Sequence, residues 1–208
     1  AREAWDYNIA VAKDALARGF DEINFDYIRF VSDGNLNDIK YPFWDGKTPR
    51  KEILRQFFEY LRRQLPNAVL SADLFGLTTV KSDDLGIGQY LEDTLPYFDF
   101  IAPMVYPSHY YAGILGYKNP ALHPYEVVKY SMDEAIRRTK QFIVYASTTP
   151  VTAKFRPWLQ DFDLRADYGA EEVKSQIRAW NDAAINNPEL NEGWMLWNAS
   201  NIYTKDAL

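Results

Sequence analysis

The chain has 208 residues, 23 Lys and Arg against 29 Asp and Glu for a formal net charge of -6, no Cys, and 47% hydrophobic and 16% aromatic residues. One domain's length, an ordinary apolar fraction and evenly spread charge indicate a globular fold with its own core and exclude disorder and collagen-like character. The acidic balance argues against a nucleic-acid partner, no apolar run reaches the roughly 18 residues of a membrane-spanning segment, and the lack of Cys removes disulfides, thiolate metal sites and cysteine nucleophiles.

The first segment, AREAWDYNIAVAKDALARGF, places Trp5, Ile9, Ala12 and Leu16 at helical spacing, with Gly19 as a stop. It begins at Ala1 without a signal peptide or initiator Met and reads as cut from something longer. In FDEINFDYIRF, Ile23 and Phe25 alternate with Asn24 and Asp26, which predicts a strand with one apolar and one polar face. Residues 32–49 have no period and form a long loop, a feature that is usually functional inside a compact domain. Helical spacing resumes over 50–65, with Ile53, Phe57 and Leu61 on one face and Leu54, Phe58 and Leu65 beside it, until Pro66.

The alternation then repeats. AVLSADLFG is a strand, Leu91 to Leu95 a short helix, and FDFIAPMVYP a strand ended by Pro107. Pro124 opens a helix carrying Val128, Met132, Ala135, Ile136 and Thr139. QFIVYAST is ambiguous between helix end and strand, and AKFRPWLQDFD is the favoured next strand, with Pro157 tolerated in it. Val173, Ile177, Trp180 and Ala184 mark a further helix, and GWMLWNASN is the last strand.

Strands alternating with helices are the signature of parallel βαβ units, so the fold class is α/β. Five strands are counted where a (β/α)8 TIM barrel has eight. With units of this length a whole barrel would exceed about 300 residues, so the expectation is one partial TIM-barrel domain over 1–208. An open doubly wound sheet would want a phosphate-binding Gly loop after the first strand, and DYIRFVSDG supplies none. GIGQ at 86–89 reads as a turn.

In parallel α/β folds the carboxyl ends of strands face the site. Those ends carry Asp26, Asp73, Tyr106, Trp158, Gln160, Trp197 and Asn198. Two carboxylates among Trp and Tyr are what glycoside hydrolysis requires: one protonates the leaving oxygen, while the other attacks the anomeric carbon or activates water, and the rings supply flat faces for sugar C–H groups. Each residue also has a plain structural role to weigh against this. Asp26 would cap the next loop or pair with Arg29, Asp73 would anchor a loop, and single Trp or Tyr residues more often fill a core. His109 is balanced between substrate contact and ordinary surface, and His123 before Pro124 belongs to the start of a helix. A triad drawn on Ser108 and His109 is disfavoured, because neighbours in an extended segment point apart. Asn198-Ala-Ser200 fits a glycosylation sequon by chance.

The blocks GFDEINFDYIRF, LSADLFGLTT, FIAPMVYPSHY, RPWLQDF and GWMLWN resemble, in order and over almost the whole chain, the strand blocks of the bacterial glycoside hydrolase-like domain, an uncharacterised TIM-barrel family distantly similar to alpha-amylase-type and chitinase-type hydrolases. The resemblance implies a barrel of which this chain supplies strands four to eight, with Asp26 at the fourth-strand nucleophile position and Asp73 on the fifth strand. It also implies a secreted or cell-envelope location. The sequence departs from the pattern in having Asp rather than Glu at 73 and Val31 where Pro is usual.

The expectation is therefore cleavage of O-glycosidic bonds in a poly- or oligosaccharide. Asp26 is nucleophile or base, kept ionised by nearby Arg29. Asp73 is the acid, raised by its flanking Leu74 and Phe75. Arg29, Tyr106, His109, Trp158, Gln160, Trp197 and Asn198 bind substrate, and no metal or cofactor is needed. The competing expectations are a carbohydrate-binding barrel without catalysis, and an arc that needs further N-terminal strands before it works.

Overall fold

The computed structural model of the chain describes residues 2–145 and 151–208. Helix α1 (Arg2–Ala17) leads into β1 (Glu22–Phe25), then α2 (Arg50–Gln64), β2 (Val69–Phe75), the single turn α3 (Leu91–Thr94), β3 (Phe100–Met104) and α4 (Pro124–Tyr145). There follow β4 (Lys154–Phe155), β5 (Trp158–Gln160), α5 (Ala170–Ala184) and β6 (Met195–Trp197). The ambiguous QFIVYAST segment is helical as far as Tyr145, and its last three residues lie outside the described ones.

Every ladder is parallel, and the strands lie in sequence order, β1-β2-β3-β5-β6, with β4 also on β3. The predicted fourth strand is β4 and β5 together. Phe100 pairs with Lys154 and Met104 with Trp158 in one unbroken register, and Pro157 interrupts the ladder because it has no N–H to give. The sheet is curled. Glu22 on β1 and Arg156 beyond β4 form an ion pair although two strands separate them, and three strand spacings of about 4.8 Å would put them roughly 14 Å apart on a flat sheet. An all-parallel curled sheet with helices between its strands is an α/β arc of the partial TIM-barrel kind.

The period of two decides which face is which. On β2, Leu70, Ala72 and Leu74 have no exposed surface and face the helices, where Phe58, Leu61, Met132 and Trp180 meet them in one core. Ser71 and Asp73 alternate with them onto the inner, concave face, as Asn24 and Asp26 do beside Phe25. The core is built by the outer face, which leaves the inner face free to be polar.

Arg138 on α4 ties the turn after β2 to α3. Its guanidinium is buried, donating to the carbonyls of Thr78 (2.5 Å), Thr79 (3.1 Å) and Lys81 (2.7 Å) and making a two-pronged pair with Glu92. Among the described residues no helix is long and apolar enough to cross a membrane.

Candidate active site

A cavity of about 470 Å³ opens where the strands end, and Asp26, Asp73, Tyr106, His109, Trp158 and Trp197 all line it. Asp73 lies within β2, two residues before its end, and is 5% exposed. Both its oxygens are engaged. Asn24 Nδ2, 49 residues earlier, donates to Oδ2 at 2.9 Å, and Trp158 Nε1, 85 residues later, donates to Oδ1 at 2.8 Å. Burial raises the Asp73 pKa, as does the neighbouring charge of Asp26, against the lowering effect of the Trp158 and Asn24 donors and of Arg156. Asp26, just past β1, is exposed and accepts the Tyr27 N–H at 2.6 Å. Two carboxyls thus meet one cavity in opposite surroundings, one buried and braced, the other open to solvent.

The turn that presents Asp26 is strained. Tyr27 holds φ +58°, a region that costs a residue with a Cβ on the order of 1 kcal/mol. The Arg29 guanidinium lies over the Tyr27 ring (4.5 Å) and over that of Phe75 (4.8 Å). The expectation that Arg29 pairs with Asp26 is not met. Arg29 donates to the Phe30 carbonyl (3.2 Å) and Ser32 Oγ (2.8 Å) and pairs with Asp33 at 3.2 Å, because the loop after β1 folds back over it. It still lines the cavity.

Tyr106 is 6% exposed, and its hydroxyl pKa is driven up by burial and by the charges of Asp73 and Asp26, so it stays a neutral phenol. Trp158 and Trp197 meet edge to face at 6.0 Å, with Trp197 43% exposed and offering a ring to whatever enters. His109 has its pKa lowered by burial and by Arg165, and its Nδ1 lies 3.1 Å from Ser108 Oγ. That contact corrects the reading of these two as pointing apart: the segment is not extended but a 3-10 turn, Pro107–His109.

Gln160 and Asn198 are corrected as well. Neither lines the cavity, and both are occupied by backbone. Gln160 is fully buried, accepting the Ser108 N–H (3.1 Å) and donating to the Phe162 carbonyl (2.9 Å). Asn198 donates to the Asp161 carbonyl and accepts the Ser200 N–H at 2.8 Å. They brace the loops after β5 and β6 rather than present groups to a ligand.

Asn24, Phe75 and Gln89 were not named as site residues from the sequence, although Asn24 was placed on the polar face of its strand and Phe75 beside Asp73. Asn24 carried a usable signal, standing two residues before Asp26 and so on the same face of the strand. Gln89 carried none, since it reaches the site from the 86–89 turn to accept the Phe75 N–H at 2.9 Å. Gly76 stands on the cavity wall where backbone approaches closely: a Cβ there would lie 2.4 Å from the Met104 carbonyl oxygen and 2.7 Å from the Tyr110 hydroxyl. Gly76→Ala should therefore cost about 1–3 kcal/mol of stability, read from a urea titration, because β2 and β3 would have to part to admit the methyl group. A shift smaller than that range would mean the wall yields more easily than its backbone contacts indicate.

The family described as "Putative glycosyl hydrolase domain" matches residues 1–203. The chain belongs to that family. No curated protein matches it. Among solved structures it is similar to the PgaB (BpsB) glycoside hydrolase domain from Bordetella bronchiseptica, at 17% identity and a TM-score of 0.46, over 70% of this chain and 37% of that one. The chain thus spans just over a third of that structure's length. In the vocabulary of its family, the cavity with two carboxyls is the candidate active site of a glycosyl hydrolase domain.

Proposed function

We propose that the protein cleaves O-glycosidic bonds of a poly- or oligosaccharide, with Asp73 as general acid and Asp26 as nucleophile or general base. The observation that carries this reading is the contrast between two carboxyls on one cavity. Burial favours the protonated form of Asp73, which suits the group that must give a proton to the leaving oxygen, whereas Asp26 stands in solvent where a carboxylate is well hydrated. Trp158, Trp197 and Tyr106 supply the apolar faces and the hydroxyl that a sugar ring needs, and His109 a ring nitrogen beside them. Arg29 shapes the wall.

The same proposal places these strands as the fourth to eighth of a barrel. On α1, Tyr7 is 70% and Val11 53% exposed, and β1 is the first strand of the sheet with β2 alone paired to it among the described residues, as the flank that meets a preceding βα unit would be. A secreted or envelope location belongs to this proposal too.

The test is release of reducing ends from a panel of polysaccharides by the full natural chain and by its Asp26→Asn variant. Loss of turnover in the variant, with sugar affinity kept, is the expected result. Affinity without turnover in the unaltered protein would replace the hydrolase with a carbohydrate-binding barrel, and turnover undiminished in the variant would remove Asp26 from the chemistry.

A further inference from the structure

Ser71 and Asn24 are direct partners in the β1–β2 ladder, with both side chains on the concave face. Ser71 Oγ lies 2.7 Å from Asn24 Oδ1, and Asn24 Nδ2 lies 2.9 Å from Asp73 Oδ2. The polarity of this chain is dictated by its members. A carboxylate only accepts, so the amide must turn its NH2 toward Asp73 and its oxygen toward Ser71, and the Ser71 hydroxyl then has to donate. Trp158 Nε1, which can only donate, closes the other side of the carboxyl at 2.8 Å. With an N–H on each oxygen, the lone pairs left for a proton are those turned away from both donors.

We propose that Asn24 is a positioning residue for Asp73, that Ser71 steadies the Asn24 amide by donating to its oxygen, and that together they set the pH at which Asp73 exchanges its proton. The proposal rests on Asp73 being one of the two reacting carboxyls. The charged and titratable groups that face Asp73 from the elements around it are Asp26 after β1, Arg156 between β4 and β5, and Tyr106 after β3. Arg156 is itself held by Glu22, and the Tyr106 phenol stays neutral. Asn24 and Trp158 are the neutral donors in that setting, and of the two only Asn24 can be altered without removing a ring from the cavity wall.

The sign of the effect follows. Removing a donor to the carboxylate destabilises its ionised form, so Asn24→Ala raises the Asp73 pKa, by about 1 pH unit for a hydrogen bond to a charged group. Ser71→Ala raises it less, since the amide still turns its NH2 to Asp73 but loses the bond that steadies its oxygen.

The experiment is a carbon-13 titration of the Asp73 carboxyl in the full chain, with the pH profile of kcat/KM recorded beside it. In Asn24→Ala both should move upward together. The limb that moves identifies the role: an upward shift of the alkaline limb widens the profile and marks Asp73 as the acid, whereas an upward shift of the acidic limb narrows it and marks a base. An Asp73 titration unchanged in both variants overturns the proposal. If the unaltered protein shows no turnover, the hydrolase reading fails on its own, and the carboxyl titration still decides whether Asn24 controls Asp73.

Discussion

Asp73→Asn should lower turnover about 10²–10⁴-fold on substrates with poor leaving groups, the usual contribution of a positioned general acid. The loss should be much smaller on aryl glycosides whose phenolate departs without a proton. The fold should survive, because the hydrogen-bond chain around Asp73 can invert. Trp158 Nε1 needs one acceptor, which the new side-chain oxygen provides. The new NH2 then faces Asn24, whose amide can rotate to present its oxygen while the Ser71 hydroxyl turns from donor to acceptor. Stability should also lose a pH dependence. Asp73 binds its proton more tightly in the folded chain than in the unfolded one, since burial raises it above the ordinary 3.8. Its contribution is therefore complete below that value and is lost as pH rises through the raised one, so the advantage of the native carboxyl over the variant should shrink across that window. Equal losses on activated and unactivated substrates would show that Asp73 does not protonate the leaving group.

Arg138→Ala should cost about 3–5 kcal/mol of stability, the penalty for removing one member of a buried ion pair. The substitution strands Glu92 without its two-pronged partner and leaves the carbonyls of Thr78, Thr79 and Lys81 with no donor, in a place where the guanidinium side chain is 7% exposed. Arg138→Lys should recover little of this, since one ammonium cannot reach three carbonyls and a carboxylate from a single planar fork. Urea unfolding of the three proteins measures both claims, and an Arg138→Ala loss below about 1 kcal/mol would refute them. The turn it secures carries Gly76 and Leu77 into the cavity wall, so the activity of Arg138→Ala should fall with its stability rather than ahead of it.

Alternation made most of the fold and part of the site legible. EINFD sets Asn24 and Asp26 on one face, SADLF sets Ser71 and Asp73 on the face beside it, and the α2 and α4 patterns name most of the buried residues, although Ile53 is only partly buried and Val127, Ser131 and Arg138 were not among those named. Two carboxyls on one cavity follow from that alone. What stayed hidden depends on loops, where no period operates. Strand-end position could not tell that Gln160 and Asn198 spend their amides on the backbone of neighbouring loops, whereas Trp158 spends its N–H on Asp73. Arg29 finds Asp33 because residues 30–33 fold back on it, and Ser108 meets His109 because Pro107 starts a tight turn where an extended segment was expected. The split at Pro157 was legible as a tolerated proline, and its consequence for the ladder needed the register.

Because each strand, with β4 and β5 counted as one, lies beside the one that precedes it in the chain, every ladder can close as soon as its second strand leaves the ribosome, without waiting for distant sequence. The contact between Glu22 and Arg156, 134 residues apart, is of the other kind and has to form late. A nascent chain halted after β3 would already hold Asn24, Ser71 and Asp73 together, and only the emergence of Trp158 would seal that carboxyl from the other side.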